Sequence, residues 1–495
     1  MTLLSRKIEE LIEESGETVA SLAEMGKINR TTLQRVKSGE RLPSKKFFAN
    51  MCSALRLSLT EEEELETLLE MTQVGERVYH NRQKIIELIE TIAELTEYKI
   101  PFSKELNLNI VNQKDGWDPT SNPEKIQIVT GAGAVLKMIE SCIDKELFGS
   151  EQPHLRMAIP GTCDPIYQYI FAQMLGNKKQ LSLQDVLNIP DECDESIADQ
   201  GLGVLKYLVS LSLLDNVNYQ SNFYYQSIGE NREINVLFPY FILTSEQVIT
   251  LSRDFSKAIL YQDAELYHLY QMGFVKLCHQ TEPFIEESSD LLTIYSLEKT
   301  YRIRQVVEPL PCFAYYATPE MVGDKIRTDF PHYETLRDVT IRFYDFFKKE
   351  NRTMINVFSL LSLKQFMADG NMYFPAEVCD PFTPAERLML VKQVRKDIFN
   401  DVRKTYALND QKIFFNSAVE FINEATLIHL ILHYQKGDKK VFKTIILKEK
   451  NIVNAFDDFF RSLPGSPYVL PKDETIAEMD KLITEYELQI TGLIS

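Results

Sequence analysis

Long apolar runs are missing from this chain. No stretch approaches the roughly 20 consecutive apolar residues that a membrane-spanning helix needs, so no membrane contact is expected. The opening residues, Met1-Thr2-Leu3-Leu4-Ser5-Arg6-Lys7, run directly into acidic side chains, without the apolar core of a secretory leader. Cysteine is sparse and odd in number. The seven are Cys52, Cys142, Cys163, Cys193, Cys278, Cys312 and Cys379, and no two are closely spaced. Zinc knuckles and disulfide frameworks both need such pairs, so the expected compartment is a reducing cytoplasm. The seven histidines form neither His-Glu-x-x-His nor His-x-His. His429 and His433 lie four apart in a strand-like run, which sets them some distance apart along one face. No metal site and no cofactor are expected.

What is present is enough for packed cores. Of 495 residues, 44% are hydrophobic and 11% aromatic, which points to two to four folded domains rather than disorder. The formal net charge is −18, but it is unevenly spread. The first sixty residues hold ten Lys/Arg against seven Asp/Glu, a net of +3, which leaves −21 for the rest. Six of those ten basic residues fall between Arg30 and Lys46. A basic patch on an acidic body directs a polyanion to one end of the molecule and away from the remainder.

That patch sits on a legible helix. Asn29 is suited to cap it, Leu33 and Val36 share one face with Ile28 just before them, and Gly39 supplies a left-handed stop. Arg30, Thr31, Gln34 and Arg35 project elsewhere. Around it, Leu3, Leu4, Ile8, Leu11 and Ile12 predict a first helix, ended by Gly16, and Thr18 caps a second through Leu22 and Ala23. Ser44 opens a fourth helix, with Phe47, Phe48, Met51, Leu55 and Leu57 available to a core. Thr60-Glu61-Glu62-Glu63 reads as a capping box for a fifth.

The spaced set Thr18, Leu22-Ala23, Ile28-Asn29-Arg30, Thr32-Leu33, Arg35-Val36, Gly39, Arg41 and Pro43-Ser44 resembles the Cro/C1 repressor, or XRE, type of helix-turn-helix domain. The resemblance covers residues 1 to about 72. It implies an all-α domain that binds operator DNA as a dimer, with its third helix in the major groove. By position it implies base contacts from Arg30, Thr31, Gln34 and Arg35, and backbone contacts from Asn29, Lys37, Ser38 and Arg41. Two positions depart from the family. Val19 stands where a phosphate-gripping Gln is common, and Lys27 stands in the usual place of the turn glycine, which here falls at Gly26.

Residues 77–100 continue with helical spacing (Val78, Ile85, Ile86, Ile89, Ile92, Leu95), as a connector or a dimerising helix. Residues 101–124, with four turn-forming residue types and Trp117, read as a linker. Beyond it, Lys125–Val129 and His154–Ile159 are strand-like. Each is followed by a turn (Thr130-Gly131-Ala132-Gly133; Pro160-Gly161-Thr162-Cys163) and a helix, which suggests a βαβ arrangement. Further strand-like runs fall at 219–227, 234–243, 247–252 and 413–434, with helices at about 194–215 and 264–280. Thr383-Pro384-Ala385-Glu386 is a capping box opening a helix to about 405. Aligned without a gap, 258–277 lies over 444–463, pairing Ile259 with Ile445, Leu266 with Ile452, Tyr270 with Phe456, Phe274 with Phe460 and Leu277 with Leu463, as two related α/β halves would.

Other chemistry is thin. Gly131-Ala132-Gly133 could cradle a phosphate, but Leu136 breaks the dinucleotide pattern and a tight turn is the plainer reading. Cys163 has no histidine placed beside it. The His-x-Lys pair of phospholipase D-type enzymes, which also use a duplicated α/β fold, is absent. The runs Phe223-Tyr224-Tyr225, Phe238-Pro239-Tyr240-Phe241 and Phe313-Ala314-Tyr315-Tyr316 suit sheet core or a ligand pocket. The expected fold is therefore multidomain: a helix-turn-helix domain (1–75), a connector helix and linker (76–124), and a large α/β effector domain of two halves (125–300 and 301–495). The expected function is a sequence-specific one-component transcription regulator, not an enzyme. It would bind double-stranded DNA as a homodimer and answer to a small-molecule effector. The alternative is an enzyme or toxin–antitoxin-like protein whose small domain only targets or autoregulates.

Overall fold

The computed structural model describes residues 2–96, 125–190, 201–226, 237–289, 303–330, 332–350, 353–372, 378–436 and 439–490. The linker with Trp117 lies outside them. The chain forms two compact units, Met1–Gln83 and Lys84–Ser495. No helix among the described residues is long and apolar enough to cross a membrane.

The first unit is all α: α1 Leu3–Glu14, α2 Val19–Met25, α3 Arg30–Lys37, α4 Lys45–Leu55, α5 Leu59–Val74 and the start of α6, Glu76–Thr96. Thr2, Thr18, Asn29, Ser44 and Ser58 each accept a first-turn N–H through a side-chain oxygen, which satisfies donors the helix cannot satisfy itself. The fifth cap corrects the sequence reading. The box is Ser58 with Glu61, because the helix already starts at Leu59 and places Thr60 inside its first turn. Leu4, Ile8, Leu11, Ile12, Leu22, Leu33, Val36, Phe48, Met51, Leu55 and Leu65 form one core. Leu3, expected in it, is 53% exposed, since it lies about 100° around the helix from Leu4.

The turn between α2 and α3 divides two demands between neighbours. A Cβ on Gly26 would meet the Asn50 carbonyl oxygen at 3.0 Å and Ala54 Cβ at 3.1 Å, so glycine there permits close approach to α4. Lys27 carries the left-handed conformation, with φ at 50°. The Ile28 N–H then reaches back to the Ala23 carbonyl at 2.9 Å.

The second unit holds two mixed sheets. The first strands and helices are β1 Ile126–Thr130, α7 Ala132–Gly149, β2 His154–Pro160, α8 Asp164–Met174, β3 Leu181–Pro190, α9 Leu202–Leu213 and β4 Val217–Gln226. Then come β5 Tyr240–Leu243, β6 Val248–Leu251, β7 Lys257–Tyr261, α10 Ala264–Cys278 and β8 Glu282–Pro283. The rest begins with β9 Ile285–Ser288, β10 Gln305–Glu308, α11 Pro319–Lys325, α12 Tyr333–Glu350, β11 Ile355–Phe358, α13 Leu360–Asp369 and α14 Pro384–Phe399. It ends with β12 Lys404–Ala407, β13 Val419–Asn423, β14 Ile428–Lys436, β15 Lys439–Leu447, α15 Lys450–Ser462 and α16 Lys472–Ile490. The α14 helix thus stops at Phe399, short of 405, because β12 must start at Lys404 to pair with β11.

The eight-stranded sheet runs β1-β7-β6-β5-β2-β3-β4-β8 and the seven-stranded sheet β12-β11-β10-β13-β14-β15-β9. Without β8 the two orders are one topology used twice. In each, three parallel strands (β2, β3, β4; β10, β11, β12) join three antiparallel ones, and the first strand of the half closes the far edge. Although β9 precedes residue 301, it completes the second sheet. The gapless alignment made above falls in structural register: Asp263 caps α10 on the N–H groups of Glu265 and Leu266, and Glu449 caps α15 on those of Asn451 and Ile452. The hairpins also match, with Thr244 N–H on the Gln247 carbonyl and Glu424 N–H on the Leu427 carbonyl.

The βαβ expectation is corrected in its location. β1 and β2 are not neighbours, because β1 pairs antiparallel with β7. The parallel crossovers are β2–α8–β3 and β3–α9–β4, and β3 was not recognised in the sequence. The apolar stripe of α6, Ile85, Leu88, Ile89 and Ile92, is buried in the core of this unit, so it does not form a seam for a second helix. Asn416 fastens it further, donating to the Ala93 carbonyl at 2.6 Å and to Thr96 Oγ1 at 3.0 Å. The halves meet through the same core and through Tyr225, whose hydroxyl donates to the cap carboxylate of Glu449 at 2.6 Å.

Asp185 is the polar centre of the first sheet. Tyr167 and Tyr219 donate to its Oδ2 at 2.8 and 2.7 Å, and Ser221 to its Oδ1 at 2.5 Å. Burial raises its pKa to about 6, and the three hydrogen bonds restrain the rise.

Two outcomes follow. Lys27→Gly relieves a left-handed non-glycine residue and is expected to stabilise the first unit by about 1 kcal/mol in thermal denaturation. For Asp185 the folded pKa lies above the unfolded one, so its stabilising contribution is full at about pH 4 and is lost as pH rises through about 6. The stability gap between wild type and Asp185→Asn is therefore expected to shrink by about 2 kcal/mol from pH 4 to pH 7. A gap independent of pH in chemical denaturation rejects that assignment.

Candidate nucleic-acid interface

The candidate interface centres on α3. Its back is fixed by Leu33 and Val36, at 0% and 2% exposure, in the core made by α1, α2 and α4. At 100° per residue, Arg30, Thr31, Gln34, Arg35 and Ser38 then fall within an arc of about 140°, opposite that back. All five are exposed. Burial of two apolar residues thus aims five polar ones into solvent. With its side chains an α-helix is about 10–12 Å across, which a major groove about 12 Å wide admits.

Each expected contact residue has a definite setting. Arg30, Arg35 and Arg41 are exposed and have no ion-pair partner among the described residues. Thr31 and Gln34 stand between the two helix arginines. Asn29 has its Oδ1 on the Thr32 N–H at 3.0 Å, so only its amide nitrogen remains to donate outward. Ser38 donates its hydroxyl to the Arg35 carbonyl at 3.1 Å, and it ends the helix next to Gly39. A Cβ on Gly39 would lie 3.2 Å from Ser5 Oγ, and its φ is 77°, so both space and conformation select glycine.

Lys37 differs from the other seven. Its ammonium pairs with Glu9 of α1 at 3.2 Å and the side chain is partly buried, so it fastens α3 to α1. Val19 packs against the edge of the core and offers no polar group. The arginines of α3 and Arg41 are therefore exposed cationic groups on or beside this helix. The conformation of Lys27 had one signal in the sequence, a non-glycine residue in the family's glycine place.

Motifs elsewhere resolve into structural roles. Gly131, with φ at 103°, turns the chain from β1 into α7. Cys163 is buried at the start of α8, where burial and then the Asp164 charge push its thiol upward, away from the reactive thiolate. His429 is buried in β14 with Nε2 3.4 Å from Glu424. Among the described residues no group of three or more His, Cys, Asp or Glu side chains is arranged to hold a metal. Of the three aromatic runs, Phe313-Ala314 reaches a cavity, and Phe223, Tyr224, Tyr240 and Phe241 of the other two pack on the faces of the first sheet.

No protein-family model matches this chain, and no curated protein matches it. Among solved structures, it is similar to TrmBL2, an archaeal chromatin protein described with a novel mode of DNA binding. The two are 13% identical, with 54% of this chain and 87% of that one covered and a TM-score of 0.20. It is also similar to the polyphosphate kinase of Porphyromonas gingivalis, at 9% identity, with 73% of this chain and 56% of that one covered and a TM-score of 0.20. The chain thus spans little more than half the length of that kinase. Likenesses this distant describe neither unit's chemistry. The coarse description that stands is a multidomain α+β chain, one small helical unit and one large unit with two mixed sheets of shared topology.

Proposed function

We propose that this protein is a sequence-specific DNA-binding transcription regulator that reads the major groove with α3. The observation that carries this reading is the solvent-facing arc of Arg30, Thr31, Gln34 and Arg35 on a helix whose opposite side is locked into a core. Arginine bonds guanine in a bidentate fashion, glutamine suits adenine, and threonine meets a base edge or a thymine methyl. Arg41 and the amide of Asn29 flank this arc, where a phosphate backbone would pass. The large unit serves as effector and dimerisation domain. The basic patch on an otherwise acidic chain supports the reading, since the acidic remainder repels DNA from other surfaces.

The test is selection of duplex sequences by the full chain, followed by fluorescence anisotropy on the selected duplex. Arg30→Ala combined with Arg35→Ala should weaken specific binding by about 100-fold or more, at about 1–3 kcal/mol per bidentate contact. Arg41→Ala should weaken binding to all sequences alike and reduce the salt slope by about one. Undiminished specific binding by the double variant rules out α3 as the reader.

A further inference from the structure

The second sheet covers a cavity lined by residues of β10, β13 and β14. It holds about 140 Å³ and is partly open to solvent, between the sheet and the segments around α11 and α12. Its wall is mostly apolar, with Phe313, Met372, Phe382, Ile422 and Ile431 among the lining residues. Two carboxylates, Glu308 of β10 and Glu420 of β13, also line it. Strand pairing sets their places: Val306 lies opposite Ile422 and Ile431 opposite Glu420, so both acids share the face turned to α12.

The fold does not require those acids. Through the shared topology, Glu308 corresponds to Ile159 in the first half and Glu420 to Tyr240. The same sites are thus filled there without a carboxylate. In the second half one acid is also specifically supported. Asn356 takes the Cys312 N–H on its Oδ1 at 3.1 Å, which commits its amide nitrogen to donate to Glu308 Oε1 at 2.5 Å. Glu420 has no hydrogen-bond or ion-pair partner among the described residues.

Among the described residues no cation is paired with either carboxylate. Lys325 is the only cationic residue among those lining the cavity, and its ammonium is engaged by Glu386 at 2.7 Å beside the Phe382 ring. The remaining polar lining groups are Thr340 and Tyr344 of α12 and the thiols of Cys312 and Cys379. Burial pushes both carboxyls upward, and the charge of Glu420 pushes Glu308 further. Two acids held close in an apolar wall oppose each other's ionisation, and a cation entering the cavity removes that opposition.

We propose that this cavity binds an organic ammonium ion with an apolar body, its charge taken by Glu308 and Glu420 and its hydrocarbon part by the apolar wall. This deepens the effector reading of the large unit and does not depend on the DNA reading of α3. An anionic effector would meet two acids in an apolar wall, and a neutral one would gain nothing from their ionisation.

The experiment is isothermal titration calorimetry on the full chain without DNA. The probes are butyl-, hexyl- and 2-phenylethylammonium, each against the alcohol of the same skeleton. Saturable one-to-one binding of at least one amine is expected, about tenfold or more tighter than its alcohol. Glu420→Gln should remove that preference and leave alcohol binding unchanged, and Glu308→Gln should act in the same direction. In the wild type, saturating amine should slow modification of Cys379 by methyl methanethiosulfonate, read by peptide mass spectrometry, which localises the site without any variant. Equal affinity for amine and alcohol, an unaltered preference in Glu420→Gln, displacement of the amine by millimolar Mg²⁺, or no saturable amine binding overturns the proposal. Loss of DNA binding by the Arg30 and Arg35 variant leaves every one of these readouts unchanged.

Discussion

Parallel strands constrain the large unit more than any other feature. Two neighbouring parallel strands need a crossover long enough to return the chain, and a helix is the usual one. Here β2, β3 and β4 are joined through α8 and α9, and β10, β11 and β12 through α11 to α14. Those helices lie on one face of each sheet, and α10 and α15 belong to the other. Central strands are thus buried on both sides, and a polar group on them gains most from a partner inside the protein. Asp185 finds such partners in two tyrosines and a serine, and Asn356 in Glu308 and the Cys312 amide.

Against that background the two halves diverge in what fills equivalent places. Ile159 and Tyr240 close the first sheet's covered face as packing. Glu308 and Glu420 leave the second one with charge and space. One topology thus carries apolar and aromatic side chains at these places in one half, and two carboxylates beside a cavity in the other. The two remain joined by a continuous apolar core and by Tyr225, which ties the end of β4 to the cap of α15. The small unit works on a different principle, with short capped helices around a single cluster and a turn in which Gly26 supplies proximity and Lys27 supplies the left-handed bend.

Much of the small unit was legible because its signals are local. A cap acts on N–H groups two or three residues away, and an apolar stripe repeats every three or four, so Thr18, Asn29, Ser44, Leu33 and Val36 could be read directly. Ser58 was displaced to Thr60 because both precede an acidic run at workable spacing. In the large unit the β7–α10 and β15–α15 segments were legible as equivalents, since a strand, a carboxylate cap and an amphipathic helix recur in fixed register. β3, β10 and β11 were not, because a strand buried on both faces loses the alternation that marks a half-exposed one.

The sequence by itself determined where α2, α3 and α4 begin, which side of α3 is buried, and hence that Arg30, Thr31, Gln34 and Arg35 face outward. These follow from periodicity and capping within a few residues. Only the tertiary structure decided that Lys37 fastens α3 to α1, that the α6 stripe is core, and that Glu308 and Glu420 share one cavity. Glu9 lies far from Lys37 in the chain, and Glu308 far from Glu420, and strand order and helix packing alone bring such residues together. Register along a strand is local, but the choice of neighbouring strand is not, and the chemistry of the large unit rests on that choice.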